Sequence, residues 1–245
     1  MRLAVISDIH GNSLALQAVL DDIAAAGVDR IVCLGDLAVM GFDPAGAIER
    51  IAGLDIPVVR GNTDDFLLNG FPDGFFAQDP DVRRDLAAWT TAQLTPEHRA
   101  VLESLVPTVD IDLDGVAVCC YHGSPRSYND PILPDNPAEQ LDDWFAGIDA
   151  PILIGGHTHR QMLRRWNGRT IVNPGPVSLT FERLPVRRGS TRPWTEYAIL
   201  TSDQGAIRID FRYLPLDFDA LATAARQSGM PHADWWLKGW EIGAS

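Results

Sequence analysis

The sequence predicts an α/β protein whose polar chemistry is gathered where its strands stop. Three observations carry this: apolar runs alternate with helical patterns through the first sixty residues, polar side chains close those runs, and the second half changes to hairpin-like alternation. With 245 residues the chain can bury a substantial core, and residues 1–245 are read as a single domain.

The first apolar run, RLAVI at 2–6, stops at Ser7-Asp8. Leu14, Leu16, Val19, Leu20 and Ile23 then follow at helical spacing from about Asn12-Ser13. IVCLGD at 31–36 repeats the order with a helix over about 44–52, and IPVVRGN at 56–62 repeats it again with a helical start at Thr63-Asp64. Such alternation implies parallel strands joined by crossover helices. From about 66 to 107 strand signals vanish. DVRRDLAAWTTAQL and PEHRAVLESL read as two helices of an insertion, the second opening on Thr95 as N-cap with Pro96 in the first turn. VDIDLDGVAVCCYHG predicts a hairpin around Asp114-Gly115, a helix follows near 137–146, and APILIGGHTH is a further strand with a polar end. Residues 161–213 read as antiparallel sheet with hairpins at Asn167-Gly168 and Gln204-Gly205. The tail, about 217–245, is helical. Its Trp235, Trp236 and Trp240 suit either docking on the parent domain or a homodimer contact.

Twenty basic against 33 acidic side chains give a formal charge of -13, which opposes approach to the phosphate backbone of a long nucleic acid. Asp8 and His10 interrupt the first apolar stretch, so no signal peptide is read there, and no run reaches membrane-span length. The three cysteines include the adjacent pair Cys119-Cys120, which suits reduced thiols in a cytoplasmic protein. Cys33 lies in an apolar run close to Asp36, so burial and metal ligation both stay open for it.

Five runs end in Asp8-x-His10, Gly35-Asp36, Gly61-Asn62-x-Asp64, His122-Gly123 and Gly156-His157-x-His159. In an open α/β sheet the carboxyl ends of the strands face one crevice, so these side chains are expected to converge. Alternate residues of an extended segment point the same way, which lets His157 and His159 address one site. Carboxylate, amide oxygen and imidazole together suit manganese, iron, zinc or a similar divalent ion.

The segments SDIHGN (7–12), GDLAVMGFDP (35–44), VRGNTDD (59–65), HGSPR (122–126), GGHTHR (155–160) and NPGPV (173–177) resemble the motifs of the calcineurin-like metallophosphoesterases, closest to their small prokaryotic phosphodiesterase-like branch. The resemblance covers roughly residues 1–180 and implies a two-sheet α/β sandwich flanked by helices, with the site at its top edge. It also implies two divalent cations (Mn, Fe, Zn or Ni), one held by Asp8, His10, Asp36 and His159, the other by Asp36, Asn62, His122 and His157, with Asp36 shared. The activity implied is hydrolysis of phosphate esters, with Asp36, Asn62 and His122 central to catalysis and a small phosphate ester as partner. Arg60, Arg126 and Arg160 are either phosphate contacts or ordinary loop arginines. Many members carry a histidine between the Asn and Asp of the third motif, where it assists as a general acid; here that place is Thr63, so phosphodiesters or activated esters are the expected substrates. Asp64 either orients a neighbouring group or caps a helix. A catalytically silent binding scaffold and a metal-dependent nuclease remain as alternatives.

Overall fold

The computed structural model describes residues 1–179 and 193–240; parts of the expected antiparallel region (180–192) and of the helical tail (241–245) lie outside the described residues. Strand β1 (Arg2–Ile6), helix α1 (Ser13–Ala26) and strand β2 (Arg30–Cys33) form the first crossover unit, with β1 and β2 parallel. The Asn12 side chain accepts the Ala15 N–H at 3.0 Å to start α1, and Gly27 ends it at φ 63°, a left-handed turn that glycine enters without a Cβ clash. Helix α2 (Pro44–Ala52) opens on Asp43 as N-cap with proline in its first turn.

The third expected strand, within 56–62, is reduced to two isolated parallel bridges, Cys33 with Val58 and Val59 with Val106. Pro57 has no N–H to give, although its carbonyl still accepts from Cys33 at 3.1 Å, so pairing is too short to make a strand. The insertion is helical as expected: α3 (Asn62–Asn69), a 3-10 turn (Asp73–Phe76), α4 (Pro80–Gln93) and α5 (Pro96–Ser104). Thr95 caps α5, and His98 in the first turn accepts the Thr95 N–H in return at 3.1 Å.

Strands β3 (Val109–Leu113) and β4 (Val116–Cys120) form the hairpin at Asp114-Gly115; α6 (Ala138–Trp144) crosses to β5 (Ile152–Ile154), parallel to β4. Strands β6 (Met162–Trp166) with β7 (Arg169–Asn173), and β8 (Trp194–Asp203) with β9 (Ala206–Pro215), are the two later hairpins. They do not form one antiparallel sheet. Strand β7 pairs parallel with β5 and β8 antiparallel with β1, giving two mixed sheets, β2-β1-β8-β9 and β3-β4-β5-β7-β6.

The sheets pack face to face. Leu3 and Val5 of β1 and Val32 of β2 meet Ile111, Val118, Cys120, Ile152, Ile154 and Val172 of the other sheet. The alternate residues Ala4 and Ile6 face α1, α2 and the tail, while Cys119, Leu153 and Ile171 face Leu141 and Trp144 of α6. Both faces of the central strands are therefore apolar, which is why their sequences read as unbroken runs. The tail forms α7 (Phe218–Gln227) and α8 (Ala233–Lys238). Trp236 meets Phe42 edge-on at 5.7 Å, and Trp236 and Trp240 are both buried in the same core as α1 and α2. These two rings dock on the chain's own body. Truncating a buried tryptophan costs about 3–5 kcal/mol, so Trp236→Ala should lower the free energy of unfolding by that amount, read from urea or guanidinium titration.

Candidate metal centre

The carboxyl ends of β1, β2, β4 and β5 reach one edge of the sandwich, and each hands its chain to a short loop. Five loop residues are held at positive φ: Asp8 (54°), His10 (46°), Asp36 (57°), His157 (69°) and His159 (53°). A non-glycine residue there costs on the order of 1–3 kcal/mol and persists only where its surroundings over-determine it. Backbone bonds do so here. Asp8 N–H donates to Gly35 O at 3.0 Å, His10 N–H to Asp36 O at 2.8 Å and Gly11 N–H to Leu37 O at 2.8 Å, zipping the first loop to the second. Gly156 N–H donates to His122 O at 2.9 Å, joining the two loops of the other sheet. The sheets are tied to each other by His157 N–H, 3.1 Å from an Asp8 carboxylate oxygen, and by Nδ1 of His122, 2.7 Å from Leu34 O.

The side chains fall into two groups. In the first, Nε2 of His10 and Nε2 of His159 are 3.0 Å apart, with an Asp8 oxygen 3.5 Å from the His159 nitrogen. In the second, Asn62 Oδ1 lies 3.0 Å from Nε2 of His122 and 3.0 Å from Nδ1 of His157. Asp36 Oδ2 stands between them, 3.4 Å from Nε2 of His10 and 3.5 Å from Nε2 of His122, while its Oδ1 accepts the Thr63 N–H at 2.9 Å. Donor atoms of Asp8, His10 and His159, and of Asp8, Asp36 and His122, all lie within 4.8 Å of one another in each set. Asp8 thus borders both groups, but the oxygen in reach of a histidine on either side belongs to Asp36.

This donor set fits cations. Nδ1 of His10, His122 and His159 faces the carbonyls of Val39, Leu34 and Leu179, at 2.8, 2.7 and 2.6 Å. A carbonyl only accepts, so Nδ1 carries the proton in each ring and Nε2 is left with a lone pair. Two such lone pairs 3.0 Å apart at His10 and His159, and one opposite the Asn62 carbonyl oxygen, repel unless a positive charge lies between them. A metal ion or a proton can supply it.

Without metal, the electrostatics favour protons on the histidines that face carboxylates. Burial pushes Asp8 upward, but the charge and hydrogen bond of His159 outweigh it and hold the carboxyl at about 2. Burial likewise opposes ionisation of Asp36, and His122 and His10 together bring it well below the usual carboxylate range. Burial depresses His122, yet Asp36 raises it to about 9; His159 is raised by Asp8 in the same way. His10 is lowered by burial, and His157 is lowered to about 4 by burial and by the charge of His122.

Asp64 is the residue whose role the sequence left open. It is fully buried, and its carboxylate accepts three backbone N–H groups: Asp36 at 2.8 Å, Leu37 at 2.9 Å and Gly61 at 2.9 Å. It pins the Asp36 loop against the start of α3. Burial, then the charge of Asp36, raises its carboxyl to about 6. Gly61 has to be glycine at this approach, because a Cβ there would lie 2.1 Å from Asp36 Oδ1. The carbonyls that orient the imidazoles have no sequence signal, since any residue supplies one.

The arginines divide differently. The Arg126 guanidinium is paired with Asp130 at 3.1 Å and Asp143 at 2.5 Å. That of Arg60 faces the Glu103 carbonyl at 3.0 Å and Asp65 at 3.6 Å. In this structure both guanidinium groups brace loops and helices, which is the loop-arginine side of the two readings the sequence left open. Arg160 is half-buried directly after His159. Cys33 is a buried thiol raised far above its usual range by burial, and it belongs to the apolar core beside α1 rather than to the cage.

Residues 1–204 match the family model of the calcineurin-like phosphoesterase superfamily domain. The chain is 30% identical over 179 residues to an uncharacterized protein of Methanocaldococcus jannaschii, covering 72% of this chain and 70% of that one. A metallophosphoesterase structure from Sphaerobacter thermophilus is similar at 31% identity and a TM-score of 0.72, over 98% of both chains. A hypothetical protein of Pyrococcus horikoshii shares the fold at 19% identity and a TM-score of 0.77, over 100% of this chain and 99% of that one.

The proton that Asp36 holds on His122 at neutral pH has to leave before a cation takes its place, and the upward shift of His159 by Asp8 acts in the same direction. Metal affinity should therefore strengthen as pH rises from about 6 toward about 9, by up to roughly tenfold per unit for each proton displaced. Titration calorimetry of manganese into metal-free protein at pH 7, in buffers of different ionisation enthalpy, should show about one proton or more released; zero release would contradict this electrostatic picture.

Proposed function

The chain belongs to the calcineurin-like phosphoesterase superfamily, and on that premise we propose that it is a two-metal phosphoesterase acting on phosphodiesters or small nucleotide-like esters. The observation that carries this reading is Asp36 Oδ2, one carboxylate oxygen between two imidazole groups at 3.4 and 3.5 Å. In this reading Asp8, His10, Asp36 and His159 hold one cation and Asp36, Asn62, His122 and His157 the other. The mixed imidazole, carboxylate and amide set suits manganese, iron, zinc or nickel. Such a pair of cations supplies Lewis acidity toward a phosphoryl group and acidifies water.

The protein's own groups then have defined tasks. Asn62 and His157, whose Oδ1 and Nδ1 lie 3.0 Å apart, are the pair assigned to orienting the phosphate. Arg160 follows His159 directly in sequence, and a guanidinium there suits two phosphate oxygens at once. The Val39, Leu34 and Leu179 carbonyls keep His10, His122 and His159 in one tautomer, so these rings present lone pairs and do not relay protons. Thr63 bears on the leaving group. Its side chain is buried, on the same helical face as the buried Leu67, so neither its chemistry nor its position provides a general acid. Esters whose leaving group departs without protonation are favoured, which means diesters and aryl esters over alkyl monoesters.

Metal-stripped protein given back manganese, zinc, nickel or iron should hydrolyse bis-para-nitrophenyl phosphate. Asp36→Asn should lose roughly hundredfold or more, since even outer-shell changes cost 10–100-fold. Glycerol phosphate should turn over more slowly, and faster turnover would overturn the leaving-group part of the proposal. Two bound metals without hydrolysis would point to a silent scaffold.

A further inference from the structure

Phenylalanines are concentrated in the segment that begins with Asn62. Four of the nine in the chain, Phe66, Phe71, Phe75 and Phe76, lie within eleven residues, in α3, in the link after it and in the 3-10 turn. Phe66 is four residues after Asn62 on one helix, which places both on the same face with Cβ atoms about 6 Å apart. The Cα–Cβ bond of a helical residue leans toward the helix N-terminus, so the Phe66 side chain leaves α3 on the side of Asn62.

The rings form a continuous wall. Phe66 is 6.0 Å from Phe71 and 6.0 Å from Phe75, Phe71 is 5.1 Å from Phe75, and Phe75 is 5.3 Å from Phe76. Phe71 and Phe75 pack against the helical core, whereas Phe66 and Phe76 stand outside it, each half-buried. The Phe66–Phe75 and Phe75–Phe76 contacts are edge-on, at 73° and 86°, an arrangement that holds a ring by its rim. Planar groups already lie on this wall: the guanidinium carbons of Arg83 and Arg84 sit 5.5 and 5.3 Å from the Phe75 and Phe76 centroids. Leucine or isoleucine would seal the insertion equally well. Flat rings beside a phosphate site, with two arginines at their outer end, complement a ligand that is both planar and anionic.

We propose that Phe66, supported by Phe71, Phe75 and Phe76, is a stacking subsite for the base of a nucleoside phosphate ester whose phosphate sits at the Asn62 side of the cage. This rests on the two-metal reading for the phosphate and adds the base. Base–aromatic stacking commonly changes affinity by tenfold or more per ring.

The test compares AMP with ribose 5-phosphate, which differ only in the base, by titration calorimetry on manganese-loaded protein. Wild type should bind AMP at least about tenfold more tightly, and in both Phe66→Ala and Phe66→Leu that ratio should fall below about threefold. The leucine variant keeps apolar volume without a stacking face, and melting curves establish that each variant is folded. A wild-type ratio near one, or a ratio that survives both substitutions, would reduce the wall to packing and overturn the subsite. If neither phosphate binds while bis-para-nitrophenyl phosphate is hydrolysed, the subsite fails and the esterase stands; if neither binds and nothing is hydrolysed, both fall.

Discussion

The site depends on where one carboxylate is held. Asp36 is buried, its Oδ2 faces an imidazole on either side, and its Oδ1 is taken by the Thr63 N–H. None of this would persist if the loop after β2 could relax. It is anchored by Asp64, which accepts from Asp36, Leu37 and Gly61, and by His10 N–H, which donates to the Asp36 carbonyl. A buried acceptor shared by three donors is costly to disrupt, because each donor left behind would be unsatisfied. The start of α3 and the end of β2 therefore behave as one rigid unit, and Asn62 inherits its position from that unit.

Backbone strain is the counterpart of that rigidity. Five of the seven cage residues have positive φ, where side chains other than glycine are disfavoured. The strand ends turn sharply enough that a side chain one or two residues later points back over the sheet edge. Gly156 permits a close approach at one of these turns, since a Cβ there would lie 2.0 Å from Ser7 Oγ and 2.8 Å from an Asp8 oxygen. Strain and close approach are tolerated because the loops bond to one another across the edge.

Much of this was legible in the sequence for identifiable reasons. Helices α1, α2 and α5 announce themselves through Asn12, Asp43-Pro44 and Thr95-Pro96, chemistry that acts within one turn. The residues of the cage were visible because each closes an apolar run. What stayed hidden was non-local. Parallel strand ends by themselves read as a single crevice of one open sheet; the two sheets were implied by the family resemblance, and in the structure the pairing of β7 with β5 and of β8 with β1 decides that the donors come from both. The segment at 56–62 has strand-like composition and forms only bridges, since Pro57 removes a donor. Arg60 and Arg126 stayed open between two readings because a sequence does not reveal the carbonyls and carboxylates that engage them.

Two sheets also explain how so polar a cluster can be buried. Strand ends along one sheet line up in a row, which offers ligands from one side. Here His122 reaches from the second sheet to the Leu34 carbonyl of the first, and the His157 N–H reaches the Asp8 carboxylate, so the edge closes around the donors. Enclosure strengthens the attraction between Asp36 and its imidazoles, and it equally strengthens the repulsion between facing lone pairs. A site built this way is stable only with positive charge inside it. Without metal, Asp36 favours a proton on His122 and Asp8 shifts His159 the same way. The same burial that makes the bare cage unfavourable makes it select for cations, and the fold that encloses the ligands is thereby the source of their affinity.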